Sequence, residues 1–267
     1  MSNNILNYFE KVNKGFIHPK GKAATNLILD NLNINKGEQI LEVGVGTGTT
    51  LVSLLSRNPT VNLHGVDISQ KMIQKSEQRL RYCKLKGKVI LKISDQNNRI
   101  PFESNFFDKA YVESVLAIQE KEDLTTLISE LGRVLKPNGI CCINELVWSP
   151  NTKQNEINFI NSHVKEKFGI IQANGKYPYI QDWIDLLEES LFKIEKLHNI
   201  SDVKNSRFII PKTYHEFLSR CFSLNGKIRG YIMSKLRNKG GRIKRELSNL
   251  DMSDKVECYI ITACNTK

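Results

Sequence analysis

No apolar run in the 267 residues approaches the roughly 20 needed to span a bilayer. The first residues, Met1-Ser2-Asn3-Asn4-Ile5-Leu6, lack a basic start followed by an apolar block. That argues against a secretory signal, so a cytoplasmic location is expected. Six cysteines are present, but none form a C-x-x-C pair and no histidine cluster accompanies them. No metal is therefore expected, and buried free thiols are the simpler reading. Internal repeats and low-complexity tracts are absent too. What remains is an ordinary globular composition, 40% hydrophobic and 25% charged, long enough for one large domain or one domain with an insertion.

The charge is less ordinary. Lysine and arginine total 39 against 28 acidic residues, a net of +11. Between Gly226 and Leu247 eight cations are opposed only by Glu246. Such a run is either a solvated basic helix or an electrostatic footprint for an anionic partner.

The most informative stretch is Ile40-Leu41-Glu42-Val43-Gly44-Val45-Gly46-Thr47-Gly48-Thr49-Thr50. An apolar run ends in a carboxylate, and three glycines then alternate with small residues. Nineteen positions after Gly48 stands Asp67, at the end of a second apolar run. This spacing predicts strand, glycine turn, helix, strand and terminal carboxylate, the nucleotide-binding half of an open α/β sheet. Glycines let the backbone pass close to a ligand, and Asp67 sits where a carboxylate accepts from both ribose hydroxyls. The order E-x-G-x-G-x-G differs from the dinucleotide fingerprint G-x-G-x-x-G, and no P-loop lysine follows.

Other stretches continue the pattern. Ser69 is a candidate N-cap for a helix from Gln70 to Cys83. Further strands are predicted at 88–93, 109–113, 140–146, 192–197 and 256–263, with a turn at Pro137-Asn138-Gly139. Helices are predicted at 22–32, 124–135, 151–168 and 181–190. About fifty residues separate the last two strands, a connection long enough to be functional or flexible. Thr213 and Glu216 form a capping-box pattern there, and Gly240-Gly241 is read as an interruption.

Four segments in order resemble class I S-adenosylmethionine-dependent methyltransferases. The glycine loop is similar to that family's first motif, and Gly65-Val66-Asp67-Ile68-Ser69-Gln70-Lys71-Met72-Ile73 to its second. Ser94-Asp95-Gln96, with Ile100-Pro101-Phe102 and Phe107-Asp108, resembles the third. Leu131 to Gly139 resembles the helix and turn before the fifth strand. The likeness runs from about Lys36 to Ile200 and resumes at the C-terminus, and it resembles the ubiquinone/menaquinone-methyltransferase-like small-molecule set. With the terminal strand, this order implies an α/β, Rossmann-like, seven-stranded sheet in the order 3-2-1-4-5-7-6, strand seven antiparallel. A single domain is implied, with an N-terminal helical cap at 1–35, a core at 36–200 and 255–267, and a mainly helical insertion at 201–254.

The resemblance implies S-adenosylmethionine as cofactor and S-adenosylhomocysteine as its product. It puts Glu42 near the methionine portion and Gly44, Gly46, Thr47 and Gly48 in the loop beneath it. Asp67 falls on the ribose, Ile68 and Met72 beside the adenine, and Asp95 on its amino group, with Gln96 adjacent. Glu113 and Ser114 end strand four next to the sulfonium. Met72 also reads as simple core, and Glu113 as a surface ion pair. Candidate catalytic groups are Glu113, Glu145 and His18, the two carboxylates facing one pocket. Tyr8, Gln119, Trp148 and His215 are candidates for the acceptor side, although a lone histidine or a tryptophan is as readily structural.

Methyl transfer from a sulfonium is an in-line displacement, in which the protein chiefly aligns the acceptor and excludes water. The expected partner is a small-molecule acceptor, acidic or membrane-associated if the basic insertion helps to capture it. Two alternatives stay open. A nucleic-acid methyltransferase would use the basic insertion, but strand four reads Tyr111-Val112-Glu113-Ser114 and carries neither an N/D-P-P-Y/F motif nor a catalytic cysteine motif. A non-catalytic scaffold would retain cofactor binding without turnover. The N-terminal segment with Tyr8 and His18 is expected to fold over the cofactor. The insertion is expected to cover the acceptor pocket, turning Ile228, Tyr231, Ile232 and Leu236 inward.

Overall fold

The computed structural model describes residues 5–95, 97–119, 121–204, 210–249, 252 and 254–267. The first two helices, α1 (Ile5–Lys11) and α2 (Gly21–Leu32), precede the sheet. Alternation then begins with β1 (Gln39–Val43), α3 (Thr49–Arg57), β2 (Asn62–Asp67), α4 (Gln70–Tyr82) and β3 (Val89–Ile93). It continues through β4 (Phe107–Glu113), α5 (Lys121–Val134), β5 (Leu135–Trp148), α6 (Gln154–Phe168), α7 (Ile180–Glu189) and β6 (Phe192–Asn199). The chain ends with α8 (Tyr214–Ile232), α9 (Ser234–Asn249) and β7 (Val256–Asn265).

The sheet has seven strands in the order β3-β2-β1-β4-β5-β7-β6. Strands β3 to β5 pair in parallel, and β7 runs antiparallel between β5 and β6. This is the expected fold. The central strands are apolar and buried on both faces, as a sheet covered by helices requires. One core face gathers Leu41, Val112, Ile128, Leu131, Ile143 and Trp183, and the other Ile28, Ile40, Leu51, Leu63, Leu80 and Tyr111.

Local details depart from expectation in informative ways. Pro137-Asn138-Gly139 lies within β5, whose pairing with β4 shifts register between Phe107 and Lys109. Asn138 takes a left-handed φ of 62° there, so the predicted turn survives only as an irregular strand entry. Gly240-Gly241 does not interrupt a helix, since α9 runs through both and the break between α8 and α9 falls at Met233. Gly240 instead makes room for the Tyr8 hydroxyl, which a Cβ would overlap.

The insertion also packs differently. Its α8 lies against α3 and α4, and α9 reaches α1. Ile243 of α9 joins Ile5 of α1 and Val164 and Phe168 of α6 in a small separate core. The face that α8 buries carries Glu216, Ser219, Phe222, Gly226 and Gly230. Ile228, Tyr231 and Ile232 point outward, being 52%, 71% and 73% exposed. The expected apolar inner face is thus reversed. Small residues face inward because Gly226 and Gly230 let the helix sit directly on Val12 and Asn13, where a Cβ would collide. The side chain of Leu236 lies outside the described residues.

Candidate functional site

The glycine loop follows β1 at the carboxyl edge of the sheet, where ligands of open α/β folds bind. Its backbone is tied to β2: the N–H groups of Gly44 and Val45 both donate to the Val66 carbonyl. Gly44, Gly46 and Gly48 have φ of 80°, 50° and 76°, a region that disfavours other residues. Gly44 has a second requirement, because a Cβ there would overlap Val115 Cγ2 from the loop after β4. Asp67, at the end of β2, accepts from Gly46 N at 2.9 Å and Ser69 N at 2.8 Å. Burial nonetheless pushes its pKa up to about 6 against those two bonds.

A cavity of about 40 Å³ opens on this loop, bordered by Glu42, Glu113, Thr50 and residues 16–18. The Glu113 carboxylate accepts from Thr50 Oγ1 at 3.0 Å and from Thr25 Oγ1 at 3.1 Å. His18 Nδ1 lies 3.2 Å from Glu113 Oε2, and its Nε2 lies 3.1 Å from Thr25 Oγ1. Glu113 is therefore a buried, multiply held carboxylate in the cavity wall rather than half of a surface ion pair. Glu42 is buried beneath it and accepts from the Tyr111 hydroxyl at 2.7 Å. Desolvation, then the charges of Glu113 and Asp67, hold the Glu42 carboxyl well above the usual carboxylate range. Ser114 follows with a left-handed φ of 57°, its N–H on the Asn144 carbonyl.

Comparisons with known proteins point the same way, two in sequence and one in fold. Residues 40–139 match the family described as "Methyltransferase domain". An uncharacterized methyltransferase, YdaC of Bacillus subtilis, is 34% identical over 115 residues, 43% of this chain and 60% of that one. A demethylmenaquinone methyltransferase of Staphylococcus aureus is 25% identical over 192 residues, 71% of this chain and 75% of its own. The structure of Haemonchus contortus phosphoethanolamine N-methyltransferase 2, with phosphomonomethylethanolamine and S-adenosylhomocysteine, superposes with TM-score 0.71 at 19% identity, covering 100% of this chain and 59% of that one. Residues 40–139 carry a methyltransferase domain, and the fold around it is that of the class I S-adenosylmethionine-dependent methyltransferases. The chain spans 60% to 75% of the two curated relatives' own lengths. The family's cofactor is S-adenosylmethionine.

In this methyltransferase the predicted residues divide. His18, Glu42, Gly44, Gly46, Thr47 and Glu113 border the one cavity. Gly48 lies just beyond, as the left-handed residue that starts α3. Met72 is buried on α4, and Ile68 is 56% exposed beside Asp67. Asp95 is exposed, with Oδ1 accepting from Asn97 N and Arg99 N of its own loop. Gln96 lies outside the described residues.

The remaining candidates fall elsewhere. Glu145 does not join Glu113 in the cavity wall. It is 1% exposed, and its Oε1 accepts from Val115 N at 2.9 Å and Leu116 N at 2.8 Å. A strand-end carboxylate beside a loop of unpaired amides caps that loop, and burial raises its pKa to about 8. Trp148 is wholly buried against Ile157 and Ala173, so it is core. His215 Nδ1 donates to the Cys83 carbonyl, 2.8 Å away at the far end of α4, remote from Asp67 at its near end. Tyr8 packs on α9 rather than the cavity, and Gln119 bonds the Val115 carbonyl within the loop after β4.

Sequence reasoning missed Arg79. Wholly buried on α4, it donates to the Thr47 carbonyl (2.6 Å), the Asn13 carbonyl (3.1 Å) and the oxygens of Ser219 and Ser223 (2.9–3.0 Å). The guanidinium also lies 4.8 Å from the Phe222 ring centroid. Burial lowers its pKa to about 10, leaving it charged at neutral pH. One cation thus joins the glycine loop, the N-terminal segment and α8. Its signal was an arginine in register with Met72, Ser76 and Leu80 on the buried side of α4.

Proposed function

We propose that the protein transfers the methyl group of S-adenosylmethionine to a small-molecule acceptor by in-line displacement beside the glycine loop. The observation that carries this is the convergence of Glu42, Glu113, His18 and the loop backbone on one cavity at the carboxyl edge. A carboxylate can accept at about four positions, and Asp67 uses two on Gly46 and Ser69. The other two suit a ribose diol. Glu113 places negative charge where a sulfonium would sit, a favourable Coulomb interaction in a poorly solvated wall. Ile68 offers exposed apolar surface beside Asp67 for a flat base. Asp95 Oδ1 is engaged by its own loop, leaving Oδ2 to take an amino group.

The chain's own contribution to the step is alignment and exclusion of water. His18 and Glu113 position the acceptor and take its proton if it loses one. A cavity of about 40 Å³ is far smaller than the several hundred Å³ of nucleotide-sized pockets. Residues 16–18 must therefore swing away to admit the cofactor and release its product.

The test is direct. S-adenosylhomocysteine should bind saturably by calorimetry, and methyl-labelled S-adenosylmethionine should label a small molecule in a metabolite fraction. His18→Ala and Glu113→Gln should lower turnover more than cofactor affinity. Tight binding without label transfer to any fraction would leave a cofactor-binding scaffold instead.

A further inference from the structure

A second cavity, of about 220 Å³, lies between the N-terminal segment, α3 and α8. It shares Phe16 and Thr49 with the cavity on the glycine loop. Four cations line it: Lys14, Lys22, Arg220 and Lys227. Glu216 is the carboxylate in this lining, and Lys22 takes it up at 2.8 Å. Among the described residues, no ion pair involves Lys14 or Lys227.

The hydroxyls of the same wall are oriented. Ser219 Oγ and Ser223 Oγ each accept from the buried Arg79 guanidinium. An oxygen that accepts from a cation keeps its own proton to give, so Ser223 offers an O–H donor away from Arg79, while the Ser219 hydroxyl also bonds the Cys83 thiol. Thr49 and Ser53 add two more hydroxyls from the first turns of α3. Gly15 threads between them; a Cβ there would stand 3.2 Å from Ser223 Oγ and 3.3 Å from Thr49 Oγ1. Cations, hydroxyl donors and a bare backbone are what a tetrahedral oxyanion requires.

We propose that this cavity binds a phosphate-class anion, which joins Lys14 to Lys227 and holds residues 14–18 over the cofactor cavity. The mutual repulsion of the two lysines supports it: Lys14 has its pKa lowered by burial and then by Lys227, a strain that an anion between them relieves. Lys14 sits on the segment that carries Phe16 and His18, whereas Lys227 sits on α8, which Arg79 fixes to the loop. An anion bridging them closes the strap. The coupling to the cofactor rests on the function proposed above; the anion site itself does not.

Calorimetry of the full chain with sodium pyrophosphate at low ionic strength tests the site. One saturable site is expected. Lys227→Gln, at an exposed position that should not disturb folding, weakens it at least about tenfold, and Lys14→Gln does the same. The control Lys239→Gln/Arg242→Gln removes twice the charge of either variant from α9, outside this cavity, and leaves binding within about twofold. Saturating pyrophosphate tightens S-adenosylhomocysteine severalfold, and the reverse holds by linkage. The source of the phosphate is read from label transfer into extract with and without phosphatase treatment. Loss of labelling places the phosphate on the acceptor, and unchanged labelling makes it a free effector. No saturable pyrophosphate binding, or equal weakening in the α9 control, overturns the site. Pyrophosphate that leaves S-adenosylhomocysteine affinity unchanged overturns the strap. Failure to bind S-adenosylhomocysteine at all counts against the methyltransferase reading, while the pyrophosphate titration still reports on the cavity.

Discussion

Replacing Glu145 by glutamine should make the protein more stable at alkaline pH, and the size of the gain follows from the site. The carboxyl is 1% exposed, Oε1 accepts two backbone N–H groups, and Oε2 is buried with no partner among the described residues. Desolvation outweighs the two bonds and raises the pKa from 4.5 to about 8. The folded protein thus keeps a proton that the unfolded chain releases near 4.5. Stability from this group is complete below 4.5, falls as pH rises through the window to 8, and is level beyond it. At about 1.4 kcal/mol per unit, the loss across that window is about 5 kcal/mol. That is a large part of the 5–15 kcal/mol typical of a domain. Glutamine keeps an acceptor for Val115 and Leu116 but cannot ionise. Asp67 and Glu42 titrate in both proteins and cancel in the difference. Urea titrations of both at several values from pH 4.5 to 9 should show stabilities that diverge in favour of Glu145→Gln. Parallel curves across that window would refute the reasoning.

Asp67 gives a second pH test: its carboxylate, with a pKa of about 6, should bind ribose hydroxyls only when ionised, so S-adenosylhomocysteine affinity should climb as pH rises from 5 to 7 and then level. Asp67→Ala should raise the dissociation constant at least about tenfold at pH 7.5, two lost charged hydrogen bonds being worth about 1.5–3 kcal/mol each; unchanged affinity in calorimetry would exclude the assignment. Gly44→Ala must both hold a φ of 80° and displace Val115, costing about 2–5 kcal/mol in a urea midpoint experiment, whereas Gly46→Ala meets its nearest neighbour, Ile17 Cδ1, only at 3.6 Å and should cost about 1–2 kcal/mol. Arg79→Met leaves the Thr47 and Asn13 carbonyls without their donor, so at least about 3 kcal/mol should be lost and amide exchange across residues 12–20 should accelerate; unchanged exchange would show that the strap does not depend on Arg79.

The strand order and the cofactor loop were legible because local chemistry dictates them. Glycines at positive φ and a carboxylate at a strand end leave marks at fixed spacing, as Gly44 and Asp67 did. The roles of Glu145, Trp148 and His215 were not legible, because each depends on what a distant segment presents. Glu145 is drawn inward by amides thirty residues earlier, and His215 meets the last carbonyls of α4 from across the insertion. The facing of α8 was misread for a related reason. Hydrophobic spacing picked Ile228 and Ile232, but close approach to Val12 selected the glycine side. Thr25, which supports Glu113, carried only the weak signal of a small polar residue between Ala24 and Ile28 on a buried helix face.

The junction of β6 and β7 carries an evolutionary consequence. Asn199 pairs with Tyr259, so the two ends of the insertion leave the sheet side by side. Topologically the segment between them is an appendix: a tight turn would close the gap and leave every strand in place. Arg79 makes the acquisition hard to reverse. Its guanidinium is wholly buried only because Ser219, Phe222 and Ser223 lie over it. A lineage that shed the insertion would first have to change position 79, and one that changed position 79 first would loosen the loop at Thr47. Arg79 thus ties the appended segment to the cofactor loop, beside the contacts that α8 makes with Val12 and Asn13 and that Ile243 makes with Ile5.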